Sequence, residues 1–288
     1  MPENIFDRIN TQYASLTRTE KRLADYIFAN RNDLQYLSIT SFAEHCKVAD
    51  ATVFRFCKAL GFGGYNEFKF ALARSLIGTP EAAPAADVSV YGKVNQDDSF
   101  DSMCKKLYNT QISALSQTLE QADEAVFRRA AQLLTNADRV YCFGQGGSLV
   151  MAMEAWSRFI SVSPKFYYIE DVHLQAMAAS LLNENDVIIF FSYSGATKDM
   201  IELLRPAKAR GIKIVLVTRY EKSPGAALAD AVLLCGANEG PLQVGSISAK
   251  VAQLMVVDVL FNCYWQINAE ECERNIELTA GSTAKKLL

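Results

Sequence analysis

Ser192, Ser194, Gly195 and Thr197 stand within six residues of one another, directly after the apolar run Val187–Phe191 and before a helical pattern over 198–210. Hydroxyls donate and accept hydrogen bonds, and a glycine lets the backbone approach a ligand closely and take dihedrals that side chains forbid. A helix starting at such a turn offers free N–H groups and the positive end of its dipole. The chemistry this suits is the holding of an anion, a phosphate above all. Capping by Ser192 or Ser194 would account for one hydroxyl. It leaves two hydroxyls and the glycine without a purpose, so the anion reading is the stronger.

A second turn of this kind, Phe143-Gly144-Gln145-Gly146-Gly147-Ser148, ends the strand candidate 139–143 and enters a helix that ends near Ile160. As a dinucleotide fingerprint it is incomplete: the third glycine is wanted where Leu149 stands, and no acidic ribose partner is clearly placed. Glycine-rich backbone at Gly146, with Ser148 at a helix start, makes it a second lobe for an anion. A plain strand-to-helix turn capped by Ser148 fits the motif equally well.

Both turns need strands behind them and helices ahead. The segments 139–143, 165–168, Val187–Phe191, 213–217 and Ala231–Leu234 are strand candidates, with helical patterns between most of them. That alternation predicts an α/β fold, a doubly wound parallel sheet whose ligand crevice lies beyond the carboxyl ends of its strands. Ahead of the sheet, Phe100, Met103, Leu107, Ile112, Leu115 and Leu119 recur at near-helical intervals over 97–121. They predict a long amphipathic helix, expected first to pack on the core and second to pair with another subunit. The Ala/Pro-rich stretch 78–86 has no periodicity and reads as a linker. The chain is thus divided into 1–77, a linker 78–96, and 97–288.

The first part reads as all α. Ile5, Phe6, Ile9, Tyr13, then Leu16, Leu23, Tyr26 and Ile27 describe two helices broken near Ser15. Thr17, followed three residues later by Glu20, is a capping box that starts the second at about Arg18 and runs it to Ala29. A short helix over 41–46 carries Phe42 and Ala43; after Lys47-Val48-Ala49, a further helix over 50–60 is ended by Gly61. On that helix Val53, Phe56, Cys57 and Leu60 form the buried stripe. The other face presents Thr52, Arg55 and Lys58 with Phe54 beside them, short polar and long basic groups suited to base edges and phosphates in a major groove. A helix-turn-helix and an ordinary small helical bundle both fit this spacing.

Charge favours the former. The chain carries a net −3, with a pI near 5.6, yet residues 1–77 hold ten Lys/Arg against eight Asp/Glu, leaving −5 for the remainder. The seven cysteines show no paired CxxC spacing and read as buried thiols of a reducing cytosol. No run approaches membrane-spanning length and no leader pattern is present, so a cytoplasmic protein without membrane partner is expected. There is no internal repeat. Of the two histidines, His45 lies in the first part and His173 near Glu170 and Asp171, just before a helix. A capping or surface role fits His173 better than catalysis; Glu170 or Asp171 remains a conceivable base.

Leu16-Thr17-x-x-Glu20-Lys21, Ala24-x-Tyr26-Ile27 and Thr52-Val53-x-Arg55-Phe56-Cys57-Lys58-x-Leu60-Gly61-Phe62-x-Gly64-Tyr65-x-Glu67-Phe68-Lys69 resemble the N-terminal domain of RpiR-type transcriptional regulators. Such regulators commonly have a serine where Ala49 stands, and Asp50 is expected to cap the recognition helix in its place. Gly144-x-Gly146-x-Ser148 with Ser192-x-Ser194-Gly195-x-Thr197 resembles the phosphosugar-binding SIS (sugar isomerase) domain that follows in this family. A third matching segment, 246–254, brings Ser246 and Ser248, although family members often have Ser-Arg at Ala249-Lys250. The resemblance implies a regulator of sugar-metabolism genes, not an enzyme, with Thr52, Arg55 and Lys58 on the DNA. It places Gly146, Ser148, Ser192, Ser194, Gly195, Thr197, Ser246 and Ser248 around a phosphosugar effector. It further implies a homodimer or homotetramer on a palindromic operator, with no cofactor and no metal. The competing expectation is an aldose–ketose phosphosugar isomerase with an accessory helical domain.

Overall fold

A computed structural model describes residues 4–76, 94–237 and 247–284. They separate into two compact units, one ending at Thr110 and the other made of Gln111–Ala237 with the residues from Ile247 on. The linker expected over 78–96 lies for most of its length outside the described residues, and so does Ser246.

In the first unit α1 (Ile5–Gln12) and α2 (Arg18–Ala29) are separated by a 3-10 turn over Tyr13–Ser15, as the break near Ser15 predicts. The Thr17 hydroxyl accepts from the Glu20 N–H while the Glu20 carboxylate accepts from the Thr17 N–H at 2.8 Å, a closed capping box. Next, α3 (Ile39–His45) starts two residues earlier than its apolar pair suggests, because Ser38 caps it on the Ser41 N–H. Lys47, at φ 52°, then turns the chain into α4 (Asp50–Ala59), and α5 (Tyr65–Leu76) follows. Ile9, Leu23, Ile27, Phe42, Val53, Phe56, Cys57, Leu60 and Phe68 are fully buried together, so the stripe read on α4 is the core side of that helix.

The helix α6 (Phe100–Glu120) forms, but it does not do what its spacing suggests. Phe100, Leu107, Tyr108, Ile112 and Leu119 are exposed, and of its side chains Ala114 and Thr118 are the ones buried. These small residues, one turn apart, let the helix meet backbone: the Gly236 N–H donates to the Thr118 hydroxyl at 2.8 Å. A Cβ on Gly236 would stand 2.5 Å from the Ala114 carbonyl oxygen. Close approach selected small residues for the contact, and the large apolar ones were left outside.

The second unit continues with α7 (Glu124–Asn136), β1 (Val140–Gly144), α8 (Leu149–Phe159), β2 (Phe166–Tyr168), α9 (Val172–Ser180), β3 (Val187–Phe191), α10 (Lys198–Ala209), β4 (Lys213–Thr218) and β5 (Ala231–Leu234). Helices α11 (Ile247–Ile267) and α12 (Ala269–Ala284) close it. The sheet is parallel throughout, in the order β2-β1-β3-β4-β5. All five residues of β3 are buried, which is why the strand reads as an unbroken apolar run. Val187, Ile189 and Phe191 point into the core shared with α7, α8 and α11, while Ile188 and Phe190 point into the core shared with α9 and α10. At the amino ends, the Arg139 guanidinium grips the buried Asp186 carboxylate with bonds of 3.0 and 2.7 Å, fixing the register of β1 against β3.

One sequence expectation is corrected here. Helix α11 is 21 residues long and apolar enough to cross a membrane by length and composition, contrary to the statement that no run approaches that length. Half of its apolar window is buried within this fold, through Ala252, Val256, Val257, Leu260 and Tyr264. Its hydropathy is that of a helix covering a sheet.

Candidate functional site

β1 lies between β2 and β3, and the chain leaves β1 toward one face of the sheet, through α8, and β3 toward the other, through α10. That divergence is a topological switch point, and it opens a crevice at the carboxyl ends of the two strands. Gly144 pairs in register with Phe191, so the two glycine- and hydroxyl-bearing turns start side by side.

The turn after β3 is held by its own backbone and by β4. The Ser192 N–H donates to the Val217 carbonyl at 3.0 Å, and the Tyr193 carbonyl accepts from both the Thr218 hydroxyl (3.1 Å) and the Arg219 N–H (3.0 Å). Tyr193 in turn donates its hydroxyl to the Ala237 carbonyl at 2.9 Å. Gly195 has φ +60°, and its carbonyl accepts from the Gly225 N–H at 2.8 Å. A Cβ there would collide with the Ser223 hydroxyl and come within 2.8 Å of the Ser223 Cβ. Glycine is therefore required twice, for its dihedral and for its size.

The hydroxyls do not cap the helix. Ser192 accepts from the Gly195 N–H and Ser194 from the Ala196 N–H, both at 3.2 Å and both inside the turn. The N-cap of α10 is Thr197, whose hydroxyl sits 3.4 Å from that of Ser192 and makes no cap bond. Ser192 is buried, while Ser194 and Thr197 are exposed. At the β1 turn, Ser148 is the N-cap of α8 and also makes no cap bond. Gly146, at φ +54°, has open space where a Cβ would stand. By contrast, α7 and α9 are capped by Asp123 and Asp171, with Asp171 accepting from the Leu174 N–H at 2.9 Å. Both helices that start at the switch point thus keep their first N–H groups free of side-chain caps.

Of the third segment, Ser248 is buried in the first turn of α11 and Asp258 pairs with Arg158 at 2.8 Å. Asp171 is occupied as a cap, and Glu170 and His173 are exposed beside it. His45 is stacked on Tyr26 at 5.5 Å. No cluster of metal-ligating side chains occurs among the described residues. Five of the seven cysteines are buried, as the apolar surroundings suggested, whereas Cys104 is exposed and Cys263 half-buried; none of the seven is in a disulfide. Sequence reasoning passed over Gln145, which it treated as a spacer, and Gln175. Three of their amide atoms, Gln145 Nε2 and Oε1 and Gln175 Oε1, are buried without a hydrogen-bond partner.

On α4, Arg55, Lys58 and Phe54 are exposed and Thr52 half-buried. The Arg55 guanidinium reaches back to the Thr52 hydroxyl at 3.5 Å, and the Lys58 amine lies 5.6 Å from the Phe54 ring centre. Asp50 does not cap this helix: the N-cap is Ala49, which has no side-chain oxygen, and the Asp50 carboxylate accepts from the Thr40 hydroxyl at 2.8 Å. The acid ties α3 to α4 and so leaves the first turn of α4 uncapped by any side chain.

A helical unit with a basic helix face is followed in the chain by a doubly wound sheet whose switch point carries two turns rich in glycine and hydroxyls. Residues 3–78 match the model of the helix-turn-helix domain of the rpiR family, and residues 133–263 that of the SIS domain. The chain is 30% identical over 278 residues to an uncharacterised HTH-type transcriptional regulator of Clostridium perfringens, covering 96% of this chain and 98% of the relative. It is 30% identical over 261 residues to HTH-type transcriptional regulator HexR of Escherichia coli, covering 89% and 86%. Among solved structures, the Vibrio vulnificus NanR protein complexed with ManNAc-6P superposes with a TM-score of 0.86 at 28% identity over 99% of each chain. The chain belongs to the RpiR family, with an HTH domain followed by an SIS domain. Its relatives are transcriptional regulators, and the isomerase expectation gives way.

Proposed function

We propose that this chain is a transcriptional regulator of sugar-metabolism genes, in which residues 1–77 bind double-stranded DNA, 78–96 link, and 97–288 sense a phosphosugar. The observation that carries the sensor reading is the pairing of Gly144 with Phe191, which sets two turns side by side, each leading into a helix that no side chain caps. Gly146, Ser148, Ser192, Ser194, Gly195 and Thr197 supply donors and backbone approach to the phosphate, joined by Ser246 and Ser248 from the third segment. The complex of the NanR neighbour with ManNAc-6P supports this assignment. Thr52, Arg55 and Lys58 read and grip the DNA from the exposed face of α4.

Control requires that the effector bind the DNA-competent and the incompetent state with different affinities, since an effector that binds both equally shifts nothing. The regulator works as a homodimer or homotetramer on a palindromic operator with half-sites about one helical turn apart. Exposed Phe100, Leu107, Ile112 and Leu119 on α6 support self-association. Free cysteines fit the reducing cytoplasm in which it would act.

The test is selection of bound genomic DNA fragments by the purified chain, with and without a panel of phosphosugars. A recurrent palindrome whose recovery changes with one phosphosugar is expected, and Ser194→Ala should abolish that change while leaving a folded protein. Enrichment of no sequence, or an intact response in Ser194→Ala, would contradict the reading.

A further inference from the structure

Gln145 lies between Gly144, the last residue of β1, and Gly146, in extended backbone at φ −136° and ψ 147°. Its Nε2 and Oε1 are both shielded from solvent and neither has a partner. Gln175, on α9, is fully buried, and its Nε2 donates to the Gly144 carbonyl at 3.1 Å and the Ile169 carbonyl at 2.8 Å. These two bonds fix the orientation of the amide, because a flipped amide would set an oxygen against two carbonyl oxygens. Gln175 Oε1 is therefore an acceptor, and it too has no partner. Gln175 thus meets the Gly144 carbonyl and Gln145 follows Gly144 in the chain, so all three unsatisfied atoms belong to residues bonded to or next to the turn after β1. Native interiors keep few such groups, because burying one without a hydrogen bond costs stability.

The kinds of atom identify the missing partner. Phosphate oxygens accept hydrogen bonds, so the hydroxyls of Ser192 to Thr197 and the uncapped helix N–H groups can serve a phosphate. Gln145 Oε1 and Gln175 Oε1 cannot, since each needs a donor. Gln145 offers a donor as well, and a carboxamide with both functions free matches a sugar hydroxyl, which gives one hydrogen bond and takes another. We propose that Gln145 is the specificity-determining residue of the crevice, pairing its carboxamide with the hydroxyls of the sugar. Gln175 is a positioning residue that pins the Gly144 turn from below. This rests on the phosphosugar reading and names the part of the ligand which that reading leaves open.

The test uses the full chain and calorimetric titration with inorganic phosphate and with a panel of sugar 6-phosphates, together with melting curves of the ligand-free proteins. Gln145→Met is expected to weaken the tightest-binding sugar phosphate roughly tenfold to hundredfold, the effect of losing one or two buried hydrogen bonds, while inorganic phosphate changes less than about twofold. Ligand-free Gln145→Met should melt at or above the wild-type temperature, because a shielded amide without partners is replaced by an apolar chain of similar length. Gln145→Glu should bind the sugar phosphate more weakly still, since it sets a carboxylate near the phosphate. Undiminished sugar-phosphate affinity in Gln145→Met overturns the inference while leaving the phosphosugar reading intact. A melting temperature several degrees below wild type assigns Gln145 a structural role and overturns it too. If neither inorganic phosphate nor any sugar phosphate binds the wild type, both fall together.

Discussion

The helical unit and the crevice of the sheet use the same small polar residues to opposite ends. In the helical unit they are consumed by the fold: Thr17 closes a capping box with Glu20, Ser38 caps α3, and Thr40 donates to Asp50. That unit's outer face on α4, where Arg55 and Lys58 are exposed, is left to solvent. At the crevice, Thr197 and Ser148 stand at helix starts without capping them, and the Gln145 amide is shielded without a partner. A large, highly charged partner such as DNA can be met with long side chains that stay hydrated when free. A small ligand must be surrounded, and the groups that surround it stay unsatisfied until it arrives.

The comparison breaks most readily at Gly195. Gly195→Ala should cost roughly 3 kcal/mol or more of stability, measured by urea unfolding, and abolish phosphosugar binding, because alanine meets both an unfavourable φ of +60° and the Ser223 side chain. A stable, ligand-responsive variant would mean that the turn is looser than its geometry. On the helical side, Arg55→Ala should weaken operator binding by about 1–3 kcal/mol and relax sequence preference, whereas Lys58→Ala should lower affinity across sequences and reduce the salt slope by about 1. Filter binding at several salt concentrations separates the two effects, and unchanged binding in both would remove α4 as the reading helix.

Two threonines sharpen the contrast further. Thr17→Ala should cost about 1 kcal/mol in thermal unfolding, the value of a lost cap. Thr197→Ala, which removes no cap bond, should stay within about 0.5 kcal/mol yet lose ligand affinity. Equal destabilisation by both would erase the distinction between consumed and reserved hydroxyls. A pH-dependent effect concerns Lys69, whose amine donates to the Leu37 carbonyl at 3.0 Å and is held by burial at about 8. An unfolded lysine keeps its proton to about 10.5, so between these values the unfolded state binds more protons and stability rises with pH. Relative to Lys69→Met, the wild type should gain on the order of 1 kcal/mol from pH 8 to 10. The Cys57 thiol, pushed up to about 12 by burial, opposes this above pH 9 but is common to both proteins and cancels in the difference.

Local physics made much of this legible. The capping box at Thr17 and Glu20 starts α2 at Arg18, and the spacing of Val53, Phe56, Cys57 and Leu60 gives the core side of α4. The unbroken run Val187–Phe191 marks a strand buried on both faces. Each signal depends on neighbours within one or two turns of chain, and so survives in the sequence. Failures occurred where distant parts meet. The large apolar residues of α6 read as core, but the helix meets Gly236 at Ala114, Gln117 and Thr118. Asp50, placed as a cap by proximity, is taken by Thr40.

By itself the sequence determined the elements, the parallel α/β class and the two turns rich in glycine and hydroxyls, because hydrophobic period and turn chemistry act locally. The strand order belonged to the tertiary structure, and with it the switch point that sets Gly144 beside Phe191. So did the saturation of each polar group, since a hydroxyl in a string of letters is the same whether or not it caps the helix that follows. That difference separates Thr17 from Thr197, and the burial of Gln145 and Gln175 without full partners appears nowhere but in the folded chain.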